Sequence, residues 1–433
     1  MRSLEVYLDE RHVGTLGEGD DVWQFRYEEP WRASLDAFDL SPALPRGTAL
    51  HQDGGSHRPV QWYFDNLLPE ESLREAVAKE AHIQGDDAFA LLEYLGAESA
   101  GSLTLLPPGM PVPSKSDARA LGDEALSRRI RALPRSTLSS QAPKRMSAAG
   151  AQHKLLVVVR DGALFEPVGA QASTHILKPD HPGDDYPSSV INEYFTMTVA
   201  RAVLGEVPAV SRRYVPEPVY LVERFDRWSG PQGQTLRRHI VDACQLLDKP
   251  RGFKYRAASL QALAEVVTRC RNRAATRLRL YAWLVFNVLI GNDDNHLKNL
   301  SFLVDAEGVE FAPAYDLLAT AAWQTRAIAG DQATWPNLPM MIALPGATHF
   351  GDVNRDSLLA AGEALGLPRR LGERELDRIA TALAQVVPAT LAAIEAQNQA
   401  LPESARPWLA GELRLLRTVA HVVVAEMLER VRR

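Results

Sequence analysis

The segment GNDDNHLKN, residues 291–299, contains two aspartates, three asparagines, a histidine and a lysine directly after the apolar run LYAWLVFNVLI. Asp294 and Asn299 have the spacing D-x-x-x-x-N. In phosphotransferases of the protein-kinase plan, the Asp of this pattern orients or deprotonates the acceptor hydroxyl and the Asn ligates Mg²⁺. The spacing alone is a weak signal, because asparagine and aspartate are also favoured in solvated turns.

The residues after this cluster strengthen the phosphotransferase interpretation. LSFLVDAEGVEFAPAYD, residues 300–316, predicts a β-hairpin with its turn at 305–308, and the hairpin leads to Asp316. The kinase plan requires such a second Mg²⁺-binding aspartate after a hairpin. Because Mg²⁺ takes few protein ligands and completes its shell with substrate phosphates, Asn299 and Asp316 suffice. Asp293 lacks the required spacing to Asn299.

A kinase also needs a strand lysine for the nucleotide phosphates and a carboxylate on the following helix. Lys178 ends the predicted strand STHILKPD, and Glu193 lies near the start of the predicted helix VINEYFTMTVARAVLG. Taken singly, each residue is more typical of an exposed strand end or a solvated helix face. Their order along the chain is the order that the chemistry requires.

Two further segments are candidates for contact with a nucleotide. SAAGAQHK, residues 147–154, is built of small residues before a predicted strand, so its backbone N–H groups can approach phosphate oxygens closely. It is neither a Walker A loop nor GxGxxG, and a flexible joint is the alternative. In LVERFDR, residues 221–227, Glu223 and Phe225 follow a strand where an adenine hinge would lie. A plain strand edge is the alternative there.

Length and composition bound the class of protein. A chain of 433 residues predicts two or three domains, and 46% apolar with 24% charged residues is typical of a soluble globular protein. The net charge of −6 argues against a chain that is basic throughout. Two cysteines in no CxxC pair argue against a disulfide framework or a cysteine zinc site. The charged N-terminus is no signal peptide, and the apolar run 281–290 is too short for a membrane span, so we expect a cytoplasmic protein.

The periodicity of the remaining sequence predicts a domain plan. A hairpin at 4–16, a strand at 22–31 and two helices up to residue 96 predict a small N-terminal α+β domain, 1–105. Residues 106–146 are rich in Pro, Gly and Ser and are interpreted as a linker. A β/α nucleotide-binding part follows at 147–228, with a strand, an Asp-Gly turn and a second strand predicted over 153–168 and one further strand expected within 211–228. Residues 229–433 are predicted to be mostly helical, with helices at RLRLYAWLVFNVLI and ELDRIATALAQVV and one long helix at the C-terminus.

Taken in order, these motifs resemble one family, the HipA-type serine/threonine-protein kinase toxins of HipBA-like toxin–antitoxin systems. The resemblance rests on collinear stretches from residue 4 to about residue 365: YFDNLLPE, GAESAGSL, SAAGAQHK, HILKPD, NEYF, LVERFDR, the CQLL…KY segment, GNDDNHLKN and PAYDLL. It implies an α+β, bilobal protein-kinase-like fold of the phosphatidylinositol-kinase-like/HipA type. In that fold a small N-terminal α+β domain and a mostly helical C-terminal lobe are expected.

The resemblance also implies roles for individual residues. Asp294 would be the catalytic base, Asn299 and Asp316 the Mg²⁺ ligands, Glu193 a member of a structural ion pair and Ser147 the site of autophosphorylation. The ATP-binding residues would be Ala149, Gly150, Ala151, Gln152, Lys154, Lys178, Glu223, Phe225, His296 and Lys298. His153, where the family commonly has an acidic residue, and the segment VDACQ depart from the family pattern. Neither departure affects a residue that the chemistry requires.

The implied activity is Mg²⁺/ATP-dependent phosphorylation of a protein, with an aminoacyl-tRNA synthetase as the family's substrate class. The implied partner is a HipB-like helix-turn-helix antitoxin, with operator DNA contacted only through it and no role for a membrane. A small-molecule kinase of the aminoglycoside-phosphotransferase type is one alternative, disfavoured by the N-terminal domain and Ser147. A non-catalytic corepressor that binds a DNA-bound antitoxin is another.

Overall fold

The computed structural model describes residues 1–231 and 233–432. The chain divides into two compact units, each built from three stretches of sequence. Unit 1 consists of Met1–Lys178, Val222–Lys254 and Ser301–Ala312, and unit 2 of Pro179–Leu221, Tyr255–Leu300 and Pro313–Arg433. The domain boundaries expected from the sequence at residues 105, 146 and 228 stay predictions, because these compact units interleave along the chain.

The strands, in chain order, are β1 (Arg2–Leu8), β2 (Arg11–Gly19), β3 (Val22–Tyr27), β4 (Leu50–Gln52), β5 (Leu103–Leu106), β6 (Ser116–Ala120), β7 (Leu155–Arg160), β8 (Ala163–Gly169), β9 (His175–Pro179), β10 (Val210–Tyr214), β11 (Pro218–Glu223), β12 (Arg227–Ser229), β13 (Thr235–Arg237), β14 (His239–Asp242), β15 (Ser301–Asp305), β16 (Gly308–Phe311), β17 (Pro339–Leu344) and β18 (Ala347–His349).

The α-helices are α1 (Glu29–Ala33), α2 (Pro59–Asp65), α3 (Glu71–Ala81), α4 (Ala88–Leu95), α5 (Asp123–Arg131), α6 (Ser189–Leu204), α7 (Ala243–Leu246), α8 (Leu260–Arg269), α9 (Arg273–Ile290), α10 (Arg326–Ala329), α11 (Arg355–Ala364), α12 (Arg369–Asn398), α13 (Arg406–Thr418) and α14 (Ala425–Arg432). A six-residue π-helix, Val419–Val424, lies between α13 and α14.

The N-terminal part of unit 1 is an antiparallel sheet in the order β4-β3-β2-β1-β5. Leu4, Val6 and Leu8 of β1 are buried and alternate with more exposed residues, as expected for a strand with one face on a core. Helices α2 and α4 pack against this sheet, where Phe64 contacts Phe25 and Phe89 contacts Trp23. The hairpin predicted over 4–16 is confirmed, with Leu8 paired to Arg11.

A second sheet in unit 1 has the order β6-β8-β7-β9. Strands β7 and β8 form the predicted hairpin around an Asp-Gly turn. The segment 106–146, interpreted from its composition as a linker, contains α5 and also β6, which pairs with β8 along its whole length. This pairing satisfies the backbone hydrogen-bonding groups at the edge of β8. β6 itself is five residues long and its composition does not predict a strand. A third sheet, β14-β15-β16, contains the predicted hairpin, in which Asp305 pairs with Gly308.

Unit 2 is mostly helical, as the sequence predicts, and its core forms where α6, α9, α11, α12 and α13 pack together. The buried face of α12 carries Leu376, Ile379, Leu383, Val387, Leu391 and Ile394, a spacing of three and four residues that matches the helical repeat. Within the described residues, α12 is also the one helix long and apolar enough to cross a membrane by length and composition, a test that core helices of soluble proteins also pass.

Two predicted elements of unit 2 differ from the observed ones. The single strand expected within 211–228 is two strands, β10 and β11, joined by a turn in which the Val215 N–H donates to the Glu217 carbonyl. Pro216 lies inside this turn and has no N–H to give to a continuous ladder. The long C-terminal helix is interrupted by the π-helix, where the hydrogen-bond repeat widens without a proline or glycine.

Candidate active site

The polar segment 291–299 follows α9 because Gly291 ends that helix. Gly291 has φ +75°, and a Cβ at this position would lie 2.5 Å from Val423 Cγ1, so only glycine fits the turn. Its carbonyl accepts a hydrogen bond from the Ala321 N–H at 2.8 Å. The last eleven residues of α9 are buried. The segment therefore leaves a helix that the core of unit 2 holds rigidly.

A chain of asparagines connects this helix to Asp294. Asn287 Nδ2 donates to the Trp283 carbonyl at 2.8 Å, and Asn292 Nδ2 donates to Asn287 Oδ1 at 2.7 Å. Asn292 Oδ1 then accepts the Asp294 N–H at 3.0 Å. These asparagines were not singled out from the sequence. The available signal was Asn287 itself, a polar residue inside an otherwise apolar run, which must find a hydrogen-bond partner when buried.

Asp294 and Asn299, predicted from spacing, are brought together. Asn299 Nδ2 donates to the Asp294 carbonyl at 2.9 Å, and the His296 N–H donates to the same oxygen at 2.9 Å. Asp294 is exposed, whereas Asn299 is only 7% exposed. With its amide nitrogen committed to the loop, Asn299 keeps its Oδ1 oxygen for a ligand, and this hard oxygen suits Mg²⁺.

Asp293 differs from its neighbour in its environment. Its N–H donates to Thr320 Oγ1 at 2.7 Å. Burial raises the pKa of the Asp293 carboxyl, and a hydrogen bond from Thr320 only partly opposes this. Of two adjacent carboxyl groups, Asp293 is thus held inward and Asp294 is presented to solvent, in agreement with the spacing argument.

Asp316 and Glu193 both lie near Tyr220 in unit 2. Burial raises the pKa of the Tyr220 phenol well above its usual value, and the charges of Glu193 and Asp316 add to this, together with a hydrogen bond to Glu193. Asn192 fastens the start of α6 to the segment after Asp316, because its side-chain amide both accepts from and donates to the backbone of Ala319, at 2.8 and 3.1 Å. Glu193 itself is 3% exposed, so it is not the solvated helix residue of the alternative interpretation.

In unit 1, the segment 147–154 forms a closed loop. Lys154 Nζ donates to the Ala149 carbonyl at 2.7 Å, and the Gly150 carbonyl accepts the Glu70 N–H at 3.2 Å. Gly150 has φ +106°, and a Cβ there would lie 2.8 Å from Lys154 Nζ. The backbone conformation therefore favours glycine at position 150. Ala151 and Gln152 are partly exposed at the end of this loop.

Lys178 lies at the end of β9 and is 5% exposed, so it is a buried cation and not a free strand end. The β7–β9 register, in which Leu155 pairs with Leu177, puts Lys154 and Lys178 at the same end of the ladder. At the other end, the Arg224 N–H donates to the Thr174 carbonyl at 2.9 Å. The predicted pairing of Lys178 with Glu193 stays a prediction.

The two hinge candidates flank Arg224. Glu223 is exposed and Phe225 is partly exposed, whereas Arg224 between them is buried. An exposed carboxylate with adjacent backbone groups and a partly exposed ring are suitable for contact with a purine. The role of Glu223 and Phe225 at an adenine stays a prediction.

Ser147 is buried and fixed by hydrogen bonds. It is 2% exposed, its hydroxyl donates to the Leu67 carbonyl at 2.5 Å, and its N–H donates to the Glu98 carbonyl at 2.8 Å. Ser147 is thus not an ordinary loop serine. In this arrangement its hydroxyl is not accessible to a phosphoryl donor.

The remaining predicted residues, His296 and Lys298, are buried within the segment 291–299. The His296 ring meets the Tyr255 ring edge to face at 5.0 Å, and the Tyr315 hydroxyl donates to the Lys298 carbonyl at 2.7 Å. Over residues 1–231 and 233–432, no group of three or more His, Cys, Asp and Glu side chains is arranged to hold a metal ion. A magnesium site of one carboxylate and one amide does not require such a group.

Comparison with known proteins shows the family to which the chain belongs. The family model of the HipA N-terminal domain matches residues 4–106, and that of the HipA-like C-terminal domain matches residues 146–390. Y4mE of Sinorhizobium fredii, which is named as a kinase, is 35% identical over 89% of this chain and 92% of its own length. The serine/threonine-protein kinase toxin HipA of Shewanella oneidensis is 30% identical over 89% of this chain and 88% of its own length.

A solved structure extends the likeness to the fold. The HipA, HipB and operator DNA complex from Shewanella oneidensis contains a chain that superposes with a TM-score of 0.76 at 28% identity, covering 98% of this chain and 99% of the other. The predicted α+β, kinase-like fold of the HipA type is confirmed. From its two family models, its relatives and its fold, this chain belongs to the HipA family of serine/threonine-protein kinase toxins.

Proposed function

We propose that this chain is a Mg²⁺/ATP-dependent serine/threonine protein kinase and the toxin of a HipBA-like toxin–antitoxin system. One observation carries the proposal. Asp294 is exposed, while the asparagines on either side of it, Asn292 and Asn299, are buried and hydrogen-bonded to its backbone. A carboxylate held in this way has the fixed position that a base for an acceptor hydroxyl requires.

In the proposed reaction, Asp294 accepts the proton of a serine or threonine hydroxyl as its oxygen forms a bond to the γ-phosphorus of ATP. The bond from that phosphorus to the bridging oxygen breaks and ADP leaves. Mg²⁺, when bound through Asn299 and Asp316, neutralises charge on the phosphates. The available Oδ1 of Asn299 supports this assignment.

Nucleotide binding is proposed for the loop residues Ala149, Gly150, Ala151, Gln152 and Lys154, together with Lys178, Glu223, Phe225, His296 and Lys298. The loop brings glycine and alanine backbone close to Lys154, and Lys178 lies at the same end of the β7–β9 ladder, so positive charge is concentrated there. Such a concentration favours the phosphates of ATP. Glu193 is proposed to stabilise the site as a member of an ion pair.

Ser147 is proposed as the autophosphorylated residue. Adding about two negative charges to a hydroxyl that now donates to the Leu67 carbonyl would remove that hydrogen bond and set a phosphate against a carbonyl oxygen. Phosphorylation therefore opposes the docked position of the segment that leads into the loop. We expect the phosphorylated form to have little kinase activity.

The proposed partners follow from the relatives. The Shewanella oneidensis structure contains HipA with HipB and operator DNA, which supports a HipB-like helix-turn-helix antitoxin as the partner of this chain. Contact with DNA is proposed only through that antitoxin. The proposed substrate is a protein such as an aminoacyl-tRNA synthetase, and the proposed location is the cytoplasm.

The test compares Asp294→Asn with Asp293→Asn, two identical changes at adjacent residues. With [γ-³²P]ATP and cell lysate as the source of substrate, we expect Asp294→Asn to lower phosphoryl transfer by about 100-fold or more. ATP affinity should be retained, because the substitution leaves the loop hydrogen bonds in place. Asp293→Asn should keep its bond to Thr320 and transfer phosphate within about twofold of wild type.

Phosphopeptide mapping of the same reactions locates the phosphate. Label on Ser147 and on a lysate protein in the wild type, absent in Asp294→Asn, supports the proposal. Full transfer by Asp294→Asn would contradict it. Label confined to small molecules favours an aminoglycoside-phosphotransferase type of activity, and failure of the wild-type chain to bind ATP favours a non-catalytic corepressor.

A further inference from the structure

Glu98, in the motif GAESAGSL, is a fully buried carboxylate surrounded by four cations of unit 1. Lys144 Nζ lies 3.0 Å from Glu98 Oε2, and Arg237 Nη2 lies 3.6 Å from the same oxygen. Arg227 Nη2 and Arg224 Nη1 lie 3.2 and 3.7 Å from Glu98 Oε1. All of these side chains are at most 6% exposed.

These four cations keep the Glu98 carboxyl ionised. Burial by itself would raise the pKa of the Glu98 carboxyl, but Lys144, Arg237, Arg227 and Arg224 hold that pKa well below its usual value. The Ser173 hydroxyl and N–H also donate to Glu98 Oε1, at 2.5 and 3.2 Å. Asp226 is a second carboxylate that pairs with two of these cations, because Arg224 and Arg227 both donate to it at 2.7 Å. Glu98 is thus an ionised acceptor with its lone pairs occupied.

One side of this cluster fixes the segment that leads into the loop 147–154. Lys144 precedes Ser147 by three residues, and its ammonium group also donates to the Gln171 carbonyl at 3.2 Å. The backbone of Glu98 forms a parallel bridge with Met146 and accepts the Ser147 N–H. Glu98 therefore holds residues 144–147 with both its side chain and its main chain.

The other side of the cluster fixes the segment of the proposed hinge. Arg224, which lies between Glu223 and Phe225, donates to the Ser173 hydroxyl at 3.1 Å and to the Ala100 carbonyl at 3.0 Å. Arg227 Nε donates to the Ser173 carbonyl at 3.1 Å. A fixed Arg224 fixes the backbone that carries both hinge candidates.

A buried ion cluster contributes little to the free energy of unfolding, because the desolvation of the charges often outweighs their attraction. An apolar core of the same volume would stabilise the fold equally well. The value of the ion cluster is geometric, since directional ion pairs hold several chain segments in one arrangement. Here the two segments held are the ones to which the proposed function assigns phosphate and adenine contacts.

We propose that Glu98, through Lys144 and the Arg224–Arg227 segment, is a positioning residue for ATP: it sets the phosphate-binding loop and the adenine hinge in one register. This inference rests on the proposed function, because it assumes that those segments bind ATP. It gives the small N-terminal domain a direct part in nucleotide affinity. No contact between Glu98 and the nucleotide is required.

The test uses Lys144→Met, which removes the ion pair with Glu98 and the hydrogen bond to the Gln171 carbonyl, and leaves Glu98 with its three arginines. We expect the KM for ATP to rise about tenfold while kcat falls less than twofold, since binding geometry is disturbed and Asp294 is not. Amide hydrogen exchange of peptides covering 144–150 should accelerate. Lys144→Arg, which keeps the charge and the donors, should restore the KM to within about twofold of wild type.

The matched control is Arg129→Met. It also removes a buried cation of unit 1 from a buried carboxylate, Glu166, at 2.7 Å, but it touches neither segment. We expect its KM for ATP to stay within about twofold of wild type and exchange over 144–150 to be unchanged. This control separates a general loss of stability from a loss of position.

Each outcome decides the inference. A raised KM with faster exchange in Lys144→Met alone supports it. A wild-type KM in Lys144→Met, or an equal rise in Arg129→Met, overturns it while leaving the proposed function intact. Failure of the wild-type chain to bind ATP overturns the proposed function and this inference together.

Discussion

Asp180, directly after the KP pair of HILKPD, has a carboxyl group that is hard to ionise. Burial raises its pKa from 3.8 to about 6, and the charge of Glu412 adds to this. The Val190 N–H donates to Asp180 Oδ1 at 2.7 Å, which opposes the rise without cancelling it. The residue therefore joins the loop before α6 to the first turn of that helix while keeping an unfavourable charge at neutral pH.

We expect Asp180→Asn to stabilise the protein at neutral and alkaline pH. The folded chain holds the Asp180 proton more tightly than the unfolded chain, so the free energy of unfolding falls as the pH rises from about 4 to about 6. The full shift corresponds to about 3 kcal/mol, and because the side chain keeps some exposed surface we expect about 1–2 kcal/mol above pH 7. Urea unfolding at several pH values measures the difference between variant and wild type.

The acceptor role of Asp180 is retained in Asp180→Asn, since the amide oxygen can still accept from Val190. The two proteins should be equally stable near pH 4, where wild-type Asp180 is protonated when folded. As a control, Asp184→Asn removes an exposed carboxylate of the same loop and should change stability by less than about 0.5 kcal/mol at any pH. A stabilisation of Asp180→Asn that is constant with pH would contradict the argument.

The contacts of some residues of the site can be predicted from the sequence, and those of others cannot. The proximity of Asp294 and Asn299 is predictable because it depends on local spacing, and the structure does bring them together. The contacts of Thr320 and Glu98 are not, because their partners are distant in sequence: Glu98 meets Arg224 only after the chain has folded. Their charge and polarity carry no local pattern that distinguishes them from exposed residues.

At the scale of elements, the end of α9 determines where the segment 291–299 lies. Gly291 and Gly346 both have φ +75°, but a Cβ at Gly291 meets Val423 at 2.5 Å, while nothing lies within 4 Å at Gly346. We expect Gly346→Ala to cost about 1 kcal/mol, from backbone strain alone. Gly291→Ala should cost about 2–4 kcal/mol, because the clash adds to the strain. Thermal or urea unfolding measures both.

The same two substitutions, at Gly291 and Gly346, distinguish an effect on stability from an effect on phosphoryl transfer. Gly291→Ala should also reduce phosphoryl transfer at temperatures where the variant remains folded, because relief of the clash with Val423 has to move the backbone that precedes Asp294. Gly346→Ala, at the turn between β17 and β18, should retain transfer. Equal destabilisation by both substitutions, or full activity of folded Gly291→Ala, would show that the packing of this turn does not position the segment.

Elements with strong local patterns were predicted well. The hairpins at β1–β2, β7–β8 and β15–β16 and the helices α6, α9 and α12 follow from alternation, helical spacing and turn residues. β6 was missed because SDARA has no apolar alternation and becomes a strand only by pairing with β8. The π-helix was missed because no local residue type specifies it.

The whole molecule combines a HipA N-terminal domain with a HipA-like C-terminal domain, matched over 4–106 and 146–390. The sequence of motifs gave the family and its fold, because many weak signals in one order are jointly specific. The motifs did not explain what the first hundred residues contribute to the rest of the chain. In the structure, residues of the N-terminal match, including Leu67 and Glu98, hold the segment that precedes the proposed nucleotide loop.

The net charge of the whole chain leads to a prediction about DNA. A chain of net charge −6 is repelled by phosphates unless a local basic surface compensates, so we expect no binding of the isolated protein to duplex DNA tighter than about 1 µM at physiological salt. With a HipB-like helix-turn-helix antitoxin, the proposed partner, the chain should join a complex on the antitoxin's operator, because that partner provides the phosphate contacts. Fluorescence anisotropy of a labelled operator duplex, with the chain alone, the antitoxin alone and both together, measures this, and a shuffled duplex controls for sequence. Tight, salt-sensitive binding by the chain alone would contradict the prediction, because it would require a basic DNA-contacting surface on the chain itself.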